Sequence, residues 1–514
     1  MKNILKTVCL LLAFAATSCV KEVGNYDYNE INEIHFKGIN DAYSKISGVD
    51  TLRIFPSITA TEGSLDTNRF VFRWVAKNDT LSDTIGRSLN LIYPVKLAPL
   101  SYQLYLRILD KKTNILWKTK TDLNISTAYT RGFFVSTEDV NGFVKVDMIT
   151  MAGDTVIRRD ILKNSGLPAL KGAINVQHSG GNVDYSKLWV FSTSGSYFVD
   201  RLSLAGNVDN RFSRLVYLTD NIDKSTLTPV LFAPQIIHSS GNVGNPFLKA
   251  LYTQEGYIFT ANPPSNGGDY YSNPINRDRD VYAEILPAAP YLIYPLANMS
   301  SLVWYDTKNE RFMNYPSFYG LPSSVQLKDN ANDIFPWNQK NSGRTLLYAE
   351  NTRNTDAGAT NGNSFTLMKD ASNQHFIYKF YANGANPNKL GFYVIKPIAT
   401  DFDKADFYAF SSNRTVVFYA VKNRLYAYDY NPGNEKFYAF NEFNGDKITL
   451  LKFDTQVDPG TNSLYIATFN AATKGTLRRY IVGNNPNTIA LTPVPHADWT
   501  GFEKIKNISW RAVN

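Results

Sequence analysis

Five histidines, His35, His178, His238, His375 and His496, are the chain's whole supply of imidazole. No two stand at the spacing of a zinc site, and the chain carries no HExxH, GxSxG, Walker A or GxGxxG pattern. Zinc, serine-hydrolase and nucleotide chemistry therefore have no support in the sequence, and no catalytic residue or cofactor is assigned. Asp401, Asp403 and Asp406 form a short acidic cluster. It lacks the glycine and terminal glutamate of an EF-hand loop, so it reads as solvated loop aspartates and no metal site is expected. The two carboxylates of a glycoside hydrolase are paired in space rather than in sequence. A polysaccharide-active hydrolase or lyase thus stays open as the alternative to a protein that binds without catalysis.

Binding residues are easier to nominate. Sugars are held by aromatic rings on their faces and by Asp, Asn and Arg at their hydroxyls. Residues 263–280 (PPSNGGDYYSNPINRDRD) place Tyr270, Tyr271, Arg277 and Asp278 in one polar stretch, and Trp337 supplies a further ring. These five are the expected ligand-binding set, weighed against a plain solvent-exposed loop. Residues 238–246 and 351–364 are also long and polar, and loops of such length in a compact domain are usually functional or mobile.

Two kinds of β-structure must position these loops. Over 35–126 the strand Phe70 to Trp74 alternates, ending on a tryptophan suited to plug a core. Leu104, Leu106 and Ile108 alternate with Tyr105, Arg107 and Leu109, turn at 110–114, and resume period two through Trp117 and Thr119, a hairpin signal. This spacing predicts an immunoglobulin-like sandwich. From 127 to 514 a strand–turn–strand outline recurs about seven times, near 133–148, 188–199, 248–259, 302–313, 346–380, 416–428 and 464–480. The pattern predicts a β-propeller-like domain of about seven blades, with further sandwiches as the rival. Ile508, Trp510 and Ala512 alternate with polar residues, so residues 504–513 are expected to seal the ring by pairing with 133–148.

The ends and the charge bound the setting. Lys2 and Lys6, an apolar run from Val8 to Ala16, and the small residues Ala16, Thr17 and Ser18 precede Cys19. This reads as a lipoprotein signal over 1–18, with Cys19 as the acylated residue and 19–34 as a tether. Cys9 and Cys19 are the only cysteines, so no disulfide is expected. A net charge of +8 without blocks of like charge describes a mildly basic surface and gives no support to nucleic-acid binding.

The Cys19 lipobox, Gly24-Asn25-Tyr26-Asp27-Tyr28 and Ile31-Asn32-Glu33-Ile34 together resemble the start of the PKD-like family of Bacteroidota lipoproteins. The strand Phe72–Trp74 followed by Tyr102–Asp110 resembles the central strands of PKD domains. Such proteins are usually encoded beside SusC/SusD-type outer-membrane uptake pairs. The resemblance implies a cell-surface lipoprotein, anchored in the outer membrane and accessory to a SusC/SusD-type nutrient-uptake system. Its large domain would bind a glycan or another ligand through propeller loops. A purely structural subunit of the uptake complex is the remaining reading.

Overall fold

The computed structural model describes residues 32–511 except 62–65, 67, 152–154, 180–184, 238–242, 245–246, 282–283, 444 and 458–459. The signal segment 1–18, Cys19 and nearly all of the tether lie outside the described residues, as do His238 and most of the 238–246 loop. The chain divides into two compact units between Ser126 and Thr127.

The first unit is a sandwich. Five strands, in the spatial order Ala42–Ile46, Leu116–Ser126, Ser101–Asp110, Phe70–Lys77 and Ser82–Gly86, form one sheet. Two shorter ladders, Ile34–Lys37 with Ser57–Ala60 and Thr51–Ile54 with Leu91–Pro94, contribute to the same core. The expected hairpin is present, with Ile108 opposite Trp117. Side chains alternate faces along a strand, and Ser101–Asp110 shows this as a regular exchange of buried and partly exposed residues. Trp74 is fully buried among Phe72, Leu104 and Leu106, and its indole N–H donates to the Ser88 and Leu89 carbonyls at 3.1 and 3.0 Å. At the sheet's end Arg69 donates to the buried Asp110 at 2.7 Å. That bond holds the carboxyl well below the usual range despite burial.

Among the described residues the second unit is a ring of seven small antiparallel sheets, with one further two-stranded ladder, Ile236–Ile237 with Val243–Gly244, beside blade 3. Each predicted outline supplies strands of one blade, numbered here in chain order. Blade 2 is Ala173–His178, Leu188–Ser192 and Tyr197–Val199; blade 3 is Pro229–Phe232, Lys249–Thr253 and Ile258–Ala261. Blade 4 has Leu302–Asp306, Arg311–Tyr315 and Val325–Gln326. Blade 5 runs from Thr345–Asn351 through Ser364–Lys369 and His375–Tyr381 to Asn388–Val394. Blade 6 spans Phe407–Phe410 to Lys436–Phe440, and blade 7 spans Lys447–Phe453 to Leu491–Phe502. Blade 5 differs from its outline in one respect. Leu346–Tyr348 and Phe376–Phe380 are not partners, because Ser364–Lys369 lies between them in the sheet.

In blade 4 the innermost position is filled by an irregular segment whose β-bridges to the sheet are Ala288–Asp306 and Ile293–Val303. Pro287, Pro290 and Pro295 interrupt it, and proline cannot donate to a ladder.

Blade 1 closes the ring. Gly132–Glu138, Val144–Thr150 and Val156–Arg158 come from the start of the unit. Its innermost strand is Lys504–Arg511 from the end of the chain, with Phe133 opposite Trp510 and Val135 opposite Ile508. The core is distributed between blades. Seven apolar clusters each join one blade to the next, and the last packs Tyr465 and Leu477 of blade 7 against Phe133, Ile508 and Trp510 of blade 1. Closure packs the face of blade 7 against that of blade 1, faces that an open chain of such sheets would leave exposed.

Candidate functional site

The innermost segments of the blades surround a central channel. A cavity of about 420 Å³ occupies it, lined by Leu231–Pro234 of blade 3, 290–292 of blade 4, Tyr348–Asn351 of blade 5, Phe407 of blade 6, Leu450–Phe453 of blade 7 and Lys506–Asn507 of blade 1. This volume lies in the range of small-molecule sites.

The channel is stoppered where the inner strands end. Arg353 of blade 5 donates through Nε to the Thr455 carbonyl at 2.7 Å and through Nη2 to the Gln456 carbonyl at 2.9 Å, both in blade 7. Gln456 in turn donates to the Gln235 carbonyl of blade 3 at 2.9 Å and accepts from the Trp510 N–H of blade 1 at 2.9 Å. Bonds between blades that are not neighbours in a ring span its central opening, so these side chains plug the channel. Arg353 is aimed by its own loop. Gly362 sits at φ +100°, where a Cβ would meet the Thr352 carbonyl at 2.1 Å, and Asn354 fastens the loop to the Ser412 carbonyl at 2.9 Å. The cavity is therefore a pit that opens toward the beginnings of the inner strands, where Phe407 and Lys506 stand.

Two charged side chains in otherwise apolar inner strands face this pit. Glu350 accepts at Oε2 from the Phe410 N–H at 2.8 Å and from the Tyr348 hydroxyl at 3.2 Å. Burial pushes its carboxyl up to about 7, against the opposing pull of those two bonds and of Lys452. Among the described residues the Oε1 atom has no protein donor, so it is available to a ligand. Lys452 donates to the Ile508 carbonyl at 3.1 Å and, at 3.4 Å, to Asn507. Burial lowers its pKa, with Asp454 and Glu350 opposing. An ammonium carries three donors, so one remains for the pit. Tyr291 and Tyr348 meet edge to face at 5.9 Å and give the wall an aromatic side. The pit thus offers a protonatable acceptor, a donor and aromatic surface in one enclosed space.

The residues nominated from the sequence fall elsewhere and do not form one site. Tyr270 is 39% exposed and meets Tyr217, itself 64% exposed, edge to face at 5.2 Å. Its neighbour Tyr271 is 1% exposed, packed against Phe212 at 5.1 Å in the cluster between blades 2 and 3, which corrects the expectation of an exposed stacking ring. Arg277 is buried too. It donates to the Pro274 carbonyl at 3.2 Å and pairs with Asp220, so its charge is spent within the protein. Asp278 is likewise engaged, by Arg311 at 3.0 Å. Trp337 packs against Phe335, Phe380 and Phe312 between blades 4 and 5 and presents only an edge to a neighbouring groove. Asp401 pairs with Lys404 at 2.6 Å and Asp406 accepts the Lys422 N–H at 2.9 Å. Among the described residues no group of three or more His, Cys, Asp or Glu is placed to hold a metal ion.

Neither Glu350, inside the 346–380 outline, nor Lys452, outside every outline, is among the residues nominated from the sequence. The available signal was a charge inside an apolar strand, in LLYAEN and in ITLLKF. A further concavity of about 310 Å³ lies beside blades 1 and 2, but its Lys145 and Asp160 are already paired at 2.9 Å.

Residues 19–173 match the model of the PKD-like family, a stretch that includes the sandwich and runs into the second unit. No curated protein matches the chain. Among solved structures it is similar to a quinonprotein alcohol dehydrogenase-like protein of Bacteroides thetaiotaomicron, at 13% identity over 91% of this chain and 97% of that one, with a TM-score of 0.34. It is similar to an ancestral GH74 enzyme at 10% identity over 80% and 55%, TM-score 0.36. A third likeness is to SGBP-B of the Bacteroides ovatus mixed-linkage glucan utilization locus, in complex with a mixed-linkage heptasaccharide, at 10% identity over 71% and 92%, TM-score 0.16. At these scores the likenesses do not separate a binding protein from an enzyme.

Proposed function

We propose that this chain is a ligand-binding lipoprotein of the outer-membrane surface. It serves as an accessory to a SusC/SusD-type uptake system and holds a sugar unit of a glycan in the channel pit. The observation that carries the reading is the pit itself, with Glu350, Lys452 and the Tyr291–Tyr348 wall around a space of about 420 Å³. A sugar hydroxyl both donates and accepts. It suits a site with an open carboxyl oxygen on one strand and an ammonium on another, while the aromatic rings suit the C–H faces of the sugar. Binding is favoured over glycoside hydrolysis because Glu350 is the one carboxylate among the described residues lining the pit, whereas that reaction uses two flanking the bond to be cut. The sandwich would act as a spacer between an acylated Cys19 and the propeller.

A glycan array with residues 20–514, followed by titration calorimetry of the hits, tests the reading. Glu350→Gln and Lys452→Met are expected to weaken binding about tenfold or more, the scale of losing a hydrogen bond to a charged group. Affinity unchanged in both variants would remove the pit from the binding site. Turnover of a bound polysaccharide that disappears with Glu350→Gln would instead establish an enzyme.

A further inference from the structure

A concavity larger than the channel pit lies on the outer part of the ring. A groove of about 860 Å³ runs on blades 4 and 5, between the 325–337 connection and the 385–390 turn. We propose that it is a second carbohydrate site, independent of the pit, and that it takes an internal stretch of a neutral polysaccharide.

Three features argue for this. The first is rigidity. Asn314 donates through Nδ2 to the carbonyls of Gly384 and Ala385 at 3.0 and 3.1 Å, fixing one wall. Lys389 reaches across to Asp329 at 2.7 Å and Asp333 at 2.5 Å, and Asp329 accepts the Trp337 N–H at 2.6 Å, fixing the other wall to the first. A groove held in this way spends little ordering free energy when a chain enters it.

The second is charge. Lys389 is neutralised twice over and its ammonium sits 5.0 Å above the Trp337 ring, so it is not offered to an anion. With Asp329 behind the lining counted, Lys328 and Lys389 balance Asp329 and Asp333, so the groove and its supporting pairs carry no formal net charge. An acidic polysaccharide gains nothing here.

The third is the lining. Exposed Asn386 and Asn388 stand on one wall, and among the described residues neither side chain has a hydrogen-bond partner. Gln326 stands opposite with its carbonyl occupied by Arg311 at 2.8 Å and its NH2 left over. Amides both donate and accept, as hydroxyls do. Between them Leu327, Leu390 and the Trp337 edge supply an apolar floor for C–H faces. The volume sits high in the range for ligand sites and is about twice that of the pit, which suits several sugar units.

The test is affinity electrophoresis of the full protein in gels containing mixed-linkage β-glucan, xyloglucan, galactomannan, amylopectin or, as the acidic arm, polygalacturonate. At least one neutral polysaccharide should retard the protein. The Asn386→Ala/Asn388→Ala variant, altered at exposed positions outside the core, should bind that polysaccharide about tenfold more weakly, the scale of two lost hydrogen bonds. A Glu350→Gln variant, which disables the pit, should still be retarded, and adding the double substitution to it should remove the retardation that remains. Retardation by none of the neutral gels, retardation insensitive to the double variant, or binding of polygalacturonate that the double variant abolishes would each overturn the proposal. Glycan binding lost with Glu350→Gln alone would leave the pit standing and eliminate the groove.

Discussion

Replacing Glu350 by glutamine should change how the large unit's stability depends on pH. Burial raises the Glu350 carboxyl from 4.5 to about 7 in the folded protein. The folded state therefore favours the neutral acid, and this favourable term is complete below the unfolded value of 4.5. It is lost as pH rises toward 7 and is absent above it. A shift of this size corresponds to about 3 kcal/mol at 1.36 kcal/mol per unit. Water entering the pit screens the charge, so about 2 kcal/mol is the more realistic expectation. Glutamine stays neutral throughout and its amide oxygen can still accept the Phe410 N–H, so the variant lacks the loss. Wild type and Glu350→Gln should melt together near pH 4, and above pH 7.5 the variant should melt higher by roughly 2–5 °C. Differential scanning calorimetry from pH 4 to 8 resolves this, following the transition of the larger unit because a two-unit chain need not unfold in one step. Melting curves that stay parallel across the whole range would refute the burial argument and with it the claim that Glu350 lies in an enclosed pit.

Three further outcomes are expected. Trp510→Ala should cost the large unit roughly 3–5 kcal/mol in denaturant unfolding, because Trp510 is buried against Phe133 at 4.8 Å in the closing blade. Deleting residues 503–514 should lower the melting temperature of the whole ring rather than fray its end. Tyr271→Ala should destabilise the fold by a similar 3–5 kcal/mol, whereas Tyr270→Ala should change stability by less than about 1 kcal/mol; equal effects would contradict the burial of one and the exposure of the other. Cys19→Ala should move the protein from the membrane pellet to the soluble fraction, and a variant that still pellets after a high-salt wash would exclude anchoring through this residue.

Much of the architecture was legible from local pattern. The alternation in Phe70–Trp74 and 104–108, and the repeated strand–turn–strand outlines from 133 onward, are period-two signals written in neighbouring residues. They located the sandwich core and at least two strands of every blade. Even the closing strand was readable, because Ile508 and Trp510 alternate with Asn507, Ser509 and Arg511 in a stretch left over after the last outline. The site was not readable in this way. Tyr270 and Tyr271 are adjacent, of one type and in one polar stretch. Which of them enters the core depends on where Phe212 and Phe232 sit, and that is decided by the packing of blade 2 on blade 3. Arg277 looked like a free ligand for sugar hydroxyls until folding brought Asp220 to it. Glu350 and Lys452 stand far apart in the chain and share a cavity only because seven sheets close on themselves. The sequence by itself determined that strands form, where they turn and that two β-units follow one another, since each of these rests on contacts within a strand or hairpin. The tertiary structure decided which strand is innermost, which charges face the channel and which end is plugged by Arg353 and Gln456, because those depend on pairings between segments that no local periodicity encodes.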